Sequence, residues 1–221
     1  MEVVFCSLFA IFCLMGAFHY LKTKRIIDNI PTSKVQSVAL GLAELSGKIR
    51  ATEPSISPIF GETCAYYKSR IEKKSGKRTI KLFEAESKNF FFLEDETGRI
   101  LVDPEGISIE CEPRFVRVGS LNFLRSSTDH KLRSLSTINA TAKEWIFKDE
   151  DHVYILGNVE PMEGANLVIR RSKNYPFFIS NLGEKKVSKR LLINGLILLA
   201  FGAIFLIVAV GILFGYIEPN N

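Results

Sequence analysis

LLINGLILLAFGAIFLIVAVGILFGYI, residues 191–217, contains no Lys, Arg, Asp or Glu, and Asn194 is its one strongly polar side chain. A helix rises about 1.5 Å per residue and a hydrocarbon core is about 30 Å thick, so about 20 apolar residues are enough to cross it. This stretch is long enough. At the other end of the chain VVFCSLFAIFCLMGAFHYL, residues 3–21, is equally free of formal charge. The two runs are read as transmembrane helices over 1–21 and 191–217, with a short external tail at 218–221. A cleavable secretory signal is the competing reading of the first run, but such signals have a basic n-region and small residues at the cleavage site. Here Met1 and Glu2 stand where the basic residues would be, and Phe18 and His19 are bulky.

All 29 Lys and Arg residues fall between the two runs. Lys22, Lys24 and Arg25 follow the first, and Lys185, Lys186, Lys189 and Arg190 precede the second. Basic residues close to a membrane span are retained on the cytoplasmic side, while Asp and Glu count for little. The expected arrangement is therefore a multi-pass protein of the cell membrane, both termini outside and residues 22–190 in the cytoplasm. Two of the 24 acidic residues, Glu2 and Glu218, lie outside that segment, which leaves it a net charge of +7. Such a charge favours anionic lipid head groups as a partner. The sequon Asn139-Ala140-Thr141 would stay unglycosylated in this topology.

The four cysteines form no disulfide framework and no close-spaced zinc-ligand set. Cys6 and Cys13, seven apart, share a helical face within the first run, and Cys64 and Cys111 are the only thiols in the middle segment. No metal and no cofactor is expected.

Residues 22–190 suit one domain. Pro31 ends the juxtamembrane extension, Thr32 or Ser33 is positioned to cap a short helix through Ser37, and a glycine-containing strand follows. Strand signals then dominate. Residues 63–73 and 77–84 flank Ser75-Gly76 as a hairpin, 89–93 holds Phe90, Phe91 and Phe92, and 99–102 lies between acidic turns. The pattern weakens over 112–148, where 139–147 is compatible with a helix, and recovers as strands at 152–159, 166–170 and 177–180. The fold class expected is mainly β (α+β): a soluble domain of short antiparallel strands, a meander or small barrel, flanked by two transmembrane α-helices.

A search for chemistry yields no catalytic residues. The chain lacks the G-x-S-x-G elbow, the phosphate loop and the H-E-x-x-H zinc helix. His130 and His152 have no companions at ligand spacing, and Ser127, Asp129 and His130 are neighbours in sequence only. Asp95, Glu96, Asp103 and Glu105 offer carboxylates for acid and base work but occupy turn positions, where Asp bonds local amides. Lys68, Arg70, Lys73, Lys74, Lys77 and Arg78 gather on one hairpin, either as a phosphate-binding patch or as a solvated run that protects a sheet edge. Nucleic acid is not expected as a partner, because no recognition fold accompanies the charge.

PTSKV (31–35), GLAELSGK (41–48), SPIFGETCAYY (57–67), DETGRILVDPEG (95–106) and VYILGNV (153–159) together resemble the GIDE domain, also called BAM for "beside a membrane". That family includes the membrane-embedded part of mitochondrial-type RING ubiquitin ligases. The resemblance implies a domain held between two membrane helices, followed in the eukaryotic ligases by a zinc-binding RING of about eight Cys and His ligands. No such ligands follow residue 217. The chain is accordingly expected to be a prokaryotic-type member without the RING: a two-pass binding or scaffold module, with an unknown protein or peptide partner besides lipid. The alternative is a component of a ubiquitin-ligase-like or membrane hydrolase system whose catalysis a partner supplies.

Overall fold

The computed structural model describes residues 2–164, 166–182 and 184–214. The chain divides into two compact units, residues 1–31 with 184–221 and residues 32–183.

The first unit is a pair of helices, α1 (Glu2–Asn29) and, at the far end of the chain, a long helix over Glu184–Leu213. Contacts of Phe9 with Phe205, Leu14 with Gly202 and Leu21 with Gly195 show that they run antiparallel. Their seam is built from small residues: Ala10, Cys13 and Ala17 are buried on α1, and Gly195, Gly202 and Ala209 recur every seven residues on its partner. A Cβ at Gly202 would lie 3.2 Å from the Leu14 side chain, so the small residues let the helices approach closely. The larger apolar side chains, among them Phe5, Phe12, Phe18, Ile193, Phe201 and Ile207, remain exposed. A core helix of a soluble protein would bury them. Both helices are long and apolar enough to cross a membrane, which points to membrane association. The last part of the expected second span, residues 215–217, and the tail at 218–221 lie outside the described residues.

The second unit runs β1 (Thr32–Ser33), β2 (Gly41–Ala51), β3 (Ser55–Ile56), β4 (Thr63–Cys64), β5 (Tyr66–Ser75), β6 (Arg78–Glu86), β7 (Phe91–Asp95), β8 (Gly98–Val102), β9 (Ser108–Ile109) and β10 (Phe115–Ser120). A short helix α2 (His130–Ser134) precedes β11 (Asn139–Phe147), β12 (His152–Met162), β13 (Asn166–Arg170) and β14 (Phe178–Ser180), and the chain returns to the first unit as α3 (Glu184–Leu213). Most pairings are antiparallel, as expected of short strands joined by tight turns; β1 with β2, β8 with β13 and β9 with β14 are parallel.

In the larger sheet the pairings close on themselves. β2 joins β7, β7 joins β8, β8 joins β13, β13 joins β12, and β12 joins β2 again. Alternate residues of these strands, including Leu45, Ile49, Phe91, Leu93, Ile100, Val102, Val153, Ile155 and Ile169, fill one core. Gly47 is required by this closure. A Cβ there would stand 2.4 Å from the Glu94 carbonyl oxygen of the neighbouring strand.

The smaller sheet has the order β10-β11-β5-β6. One face carries Ile71, Phe83, Ala140 and Ala142, and residues 121–138, with Leu121, Leu124, Leu132 and Leu135, cover it to make a second core.

Two expectations are corrected here. Residues 139–147 form β11, with Ala140, Ala142, Glu144 and Ile146 inward. Small residues and a carboxyl group in the inward row hide the alternation that marks a strand. Near the start of the unit, Thr32 and Ser33 pair with β2, and the helical turn is a single 3-10 turn over Val35–Ser37 with no side-chain cap.

Candidate functional site

β5 and β6 form a hairpin whose two-residue loop is Gly76-Lys77, with Gly76 at φ 60°, a conformation that glycine accepts without strain. The six candidate cations on this hairpin fall into two groups. Lys68 sits opposite Glu86 and pairs with it at 2.9 Å. Arg70 sits opposite Glu84, donates from Nη2 at 2.7 Å and from Nε at 3.1 Å, and reaches Glu72 at 3.4 Å. Its guanidinium lies over the Trp145 ring, and Lys143 of β11 adds a 3.0 Å pair to Glu72. The outer face of the sheet is thus a ladder of neutralised charges. Hydrogen bonds from Lys81 and then Arg70 hold the Glu84 carboxyl down at about 2.

Lys73, Lys74, Lys77 and Arg78 are different. They crowd the exposed tip, and among the described residues none has a carboxylate within ion-pair distance. Ile80, also exposed, stands beside them opposite Lys73. The four exposed cations give this end of the hairpin a positive charge that no described carboxylate compensates at ion-pair distance.

Of the membrane-flanking residues, Lys22, Lys24 and Arg25 continue α1, where Lys24 pairs with Asp28 one turn on. Lys189 and Arg190 belong to the first turns of α3, and Ser188 Oγ donates to Asp28 at 2.6 Å. The side chains of Lys185 and Lys186 lie outside the described residues.

The acidic turns serve the backbone. Asp95 Oδ1 accepts from Thr97 N, Thr97 Oγ1 and Gly98 N, and its Oδ2 accepts from Val35 N at 2.9 Å. Burial pushes the Asp95 carboxyl up, but these bonds together hold it below the ordinary range. Glu96 pairs with Lys34, and Asp103 Oδ1 accepts from Glu105 N at 3.1 Å.

Ser127, Asp129 and His130 do not converge into a triad. Asp129 caps α2, accepting from Lys131 N and Leu132 N, while His130 is exposed. Cys111 and His152 line one crevice of about 450 Å³, but Asp151 beside them is bound to Arg114 and to Lys148 N. Cys64 and Cys111 are buried and not disulfide-bonded. Burial, reinforced by the nearby Glu144 carboxyl, pushes the Cys64 thiol up to about 11, so at neutral pH it is a poor nucleophile. Among the described residues no group of His, Cys, Asp and Glu is arranged to hold a metal ion.

Sequence reasoning missed Glu144. It is fully buried on β11, and each carboxyl oxygen accepts twice: Oε1 from Ile59 N at 3.1 Å and Ser69 Oγ at 2.5 Å, Oε2 from Ser57 Oγ at 2.8 Å and Phe60 N at 3.2 Å. It organises the loop between β3 and β4. Its partners lie 75 to 87 residues away in sequence, so no local pattern announces them. The conspicuous SPIFGET stretch was the available signal, since a loop that needs its amides satisfied internally needs an acceptor.

A family model described as GIDE, E3 ubiquitin ligase, matches residues 63–214, most of the chain. No curated protein and no solved structure matches.

Proposed function

For a chain that belongs to the GIDE family, with two apolar helices in one unit and a β-rich domain in the other, we propose the function of a two-pass membrane-anchored binding or scaffold module. The helices fix it in the cell membrane with both termini outside and the domain cytoplasmic, following the basic flanks of each span. The hairpin tip engages anionic phosphate groups, with lipid head groups as their source, and a protein or peptide is the second partner.

The division of the hairpin's cations carries this reading. Lys68 and Arg70 are already neutralised by carboxylates, whereas Lys73, Lys74, Lys77 and Arg78 are exposed and unneutralised. Each cation brought to an anionic surface contributes about 1 kcal/mol. In a flotation assay with the full chain in zwitterionic nanodiscs, phosphatidylserine vesicles are recovered with the protein and phosphatidylcholine vesicles are not. Exchanging all four tip cations for Glu lowers recovery at least about tenfold; unchanged recovery contradicts the reading.

The family description supports a second reading, a component of a ubiquitin-transfer system to which a partner brings catalysis. A thioester carried by this chain would need Cys64 or Cys111, both buried. A Cys64→Ser, Cys111→Ser double variant that retains full in-cell function disposes of that route.

A further inference from the structure

The smaller sheet ends in two open edges, and they are built differently. β6 carries Arg78 and Lys81 along its length and faces a register break between Ile71 and Glu72, devices that discourage further strand pairing. β10 has neither. It pairs only with β11, over six residues, and among the described residues its other edge has no backbone partner. The end strands of the larger sheet, β1 and β9, are two residues each. On β10, Val116 is 54% and Val118 76% exposed, in a row on the outer face beside Lys143 and Thr141. The opposite row holds Phe115 and Arg117. Phe115 packs on Phe60 at 5.4 Å, Phe60 stacks on Phe123 at 5.6 Å, and the exposed Arg117 guanidinium lies 5.1 Å over Phe123.

We infer that the β10 edge is a strand-addition site for an extended, acidic segment of a partner protein in which apolar and acidic residues alternate. This rests on the reading of the chain as a binding module and names the chemistry of its second partner. An added strand places one row of side chains against Val116 and Val118, which favours apolar residues, and the other beside Arg117, which favours Glu or Asp. Charge decides against a second copy. β10 carries Arg117 and no Asp or Glu, so self-pairing would bring one uncompensated guanidinium toward another. Backbone hydrogen bonds supply the affinity, and Arg117 sets the sign of the charge selected.

The test is fluorescence polarisation with the full chain in zwitterionic nanodiscs. The probes are a labelled octapeptide of alternating Glu and Val, its Lys-Val counterpart, and two Glu-Val versions N-methylated on one set of alternate residues or the other. The Glu-Val peptide binds and the Lys-Val peptide does not. One N-methylated version loses binding and the other keeps it, because only one edge of the added strand meets β10. Arg117→Glu and Val118→Lys each weaken binding about tenfold or more, while vesicle recovery through the hairpin tip is unchanged. No binding, or binding indifferent to both N-methylation patterns, overturns the inference and leaves the lipid reading standing. A dimer that Val118→Lys converts to a monomer reassigns the edge to a second copy. Loss of vesicle recovery in Arg117→Glu with peptide binding intact reassigns it to lipid.

Discussion

Glu144 illustrates what a single side chain does when it is buried with its partners. Both carboxyl oxygens face a backbone N–H, from Ile59 and from Phe60, and neither amide can rotate away. Glu144→Gln therefore turns an NH₂ toward an N–H donor in whichever orientation it settles. We expect a loss of about 1–3 kcal/mol, read by thermal or denaturant unfolding of the full chain, with the residue 57–62 loop the first to gain hydrogen exchange. Unaltered stability would mean that the loop holds itself. Gly47 is similar in kind: its glycine character was visible in the sequence, but the Glu94 carbonyl that requires it was not. Residue identity marks the place and tertiary structure gives the reason.

At the scale of elements, the hairpin was legible because its turn chemistry is local, whereas β11 was not, because its inward row is Ala, Ala, Glu and Ile. The division of the hairpin's charges was also hidden. Cross-strand neighbours follow from the register, and the register follows from the turn and the irregularity at Ile71 and Glu72. Glu84 supplies a pH test of this ladder. Its folded pKa, about 2, lies below the ordinary 4.5, so its contribution to stability is present above about pH 4.5 and is lost as pH falls toward 2. The side chain is partly exposed, so the effect is small and salt-sensitive. Acid titration followed by amide NMR of the β5–β6 region should show loosening in that window. Glu84→Gln should reduce the pH dependence to the part contributed by Glu72, whose carboxyl burial pushes up but Lys143 and Arg70 hold below its ordinary range. A hairpin indifferent to pH between 4.5 and 2 would show that the ladder does not hold it.

For the whole molecule, the two apolar helices and the β-rich middle were readable from composition and charge, and five motifs in order carried the family. Ring closure of the larger sheet was not readable. It depends on β2 meeting β12, strands separated by most of the domain, and nothing local to either records the other. The expected domain limits at 21 and 191 mark where apolar sequence stops; the helices run on, α1 to Asn29 and α3 back to Glu184. The basic residues that argue for topology therefore lie on helical extensions of the spans themselves. Glycosylation mapping of the full chain in eukaryotic microsomes tests the central claim of a two-span protein with a cytoplasmic domain. Asn139 is exposed at the start of β11 and is a ready-made reporter, and a second sequon placed before Met1 reports the other side. The account predicts glycan on the added site and none on Asn139; glycan on Asn139 with a bare N-terminal site would contradict it.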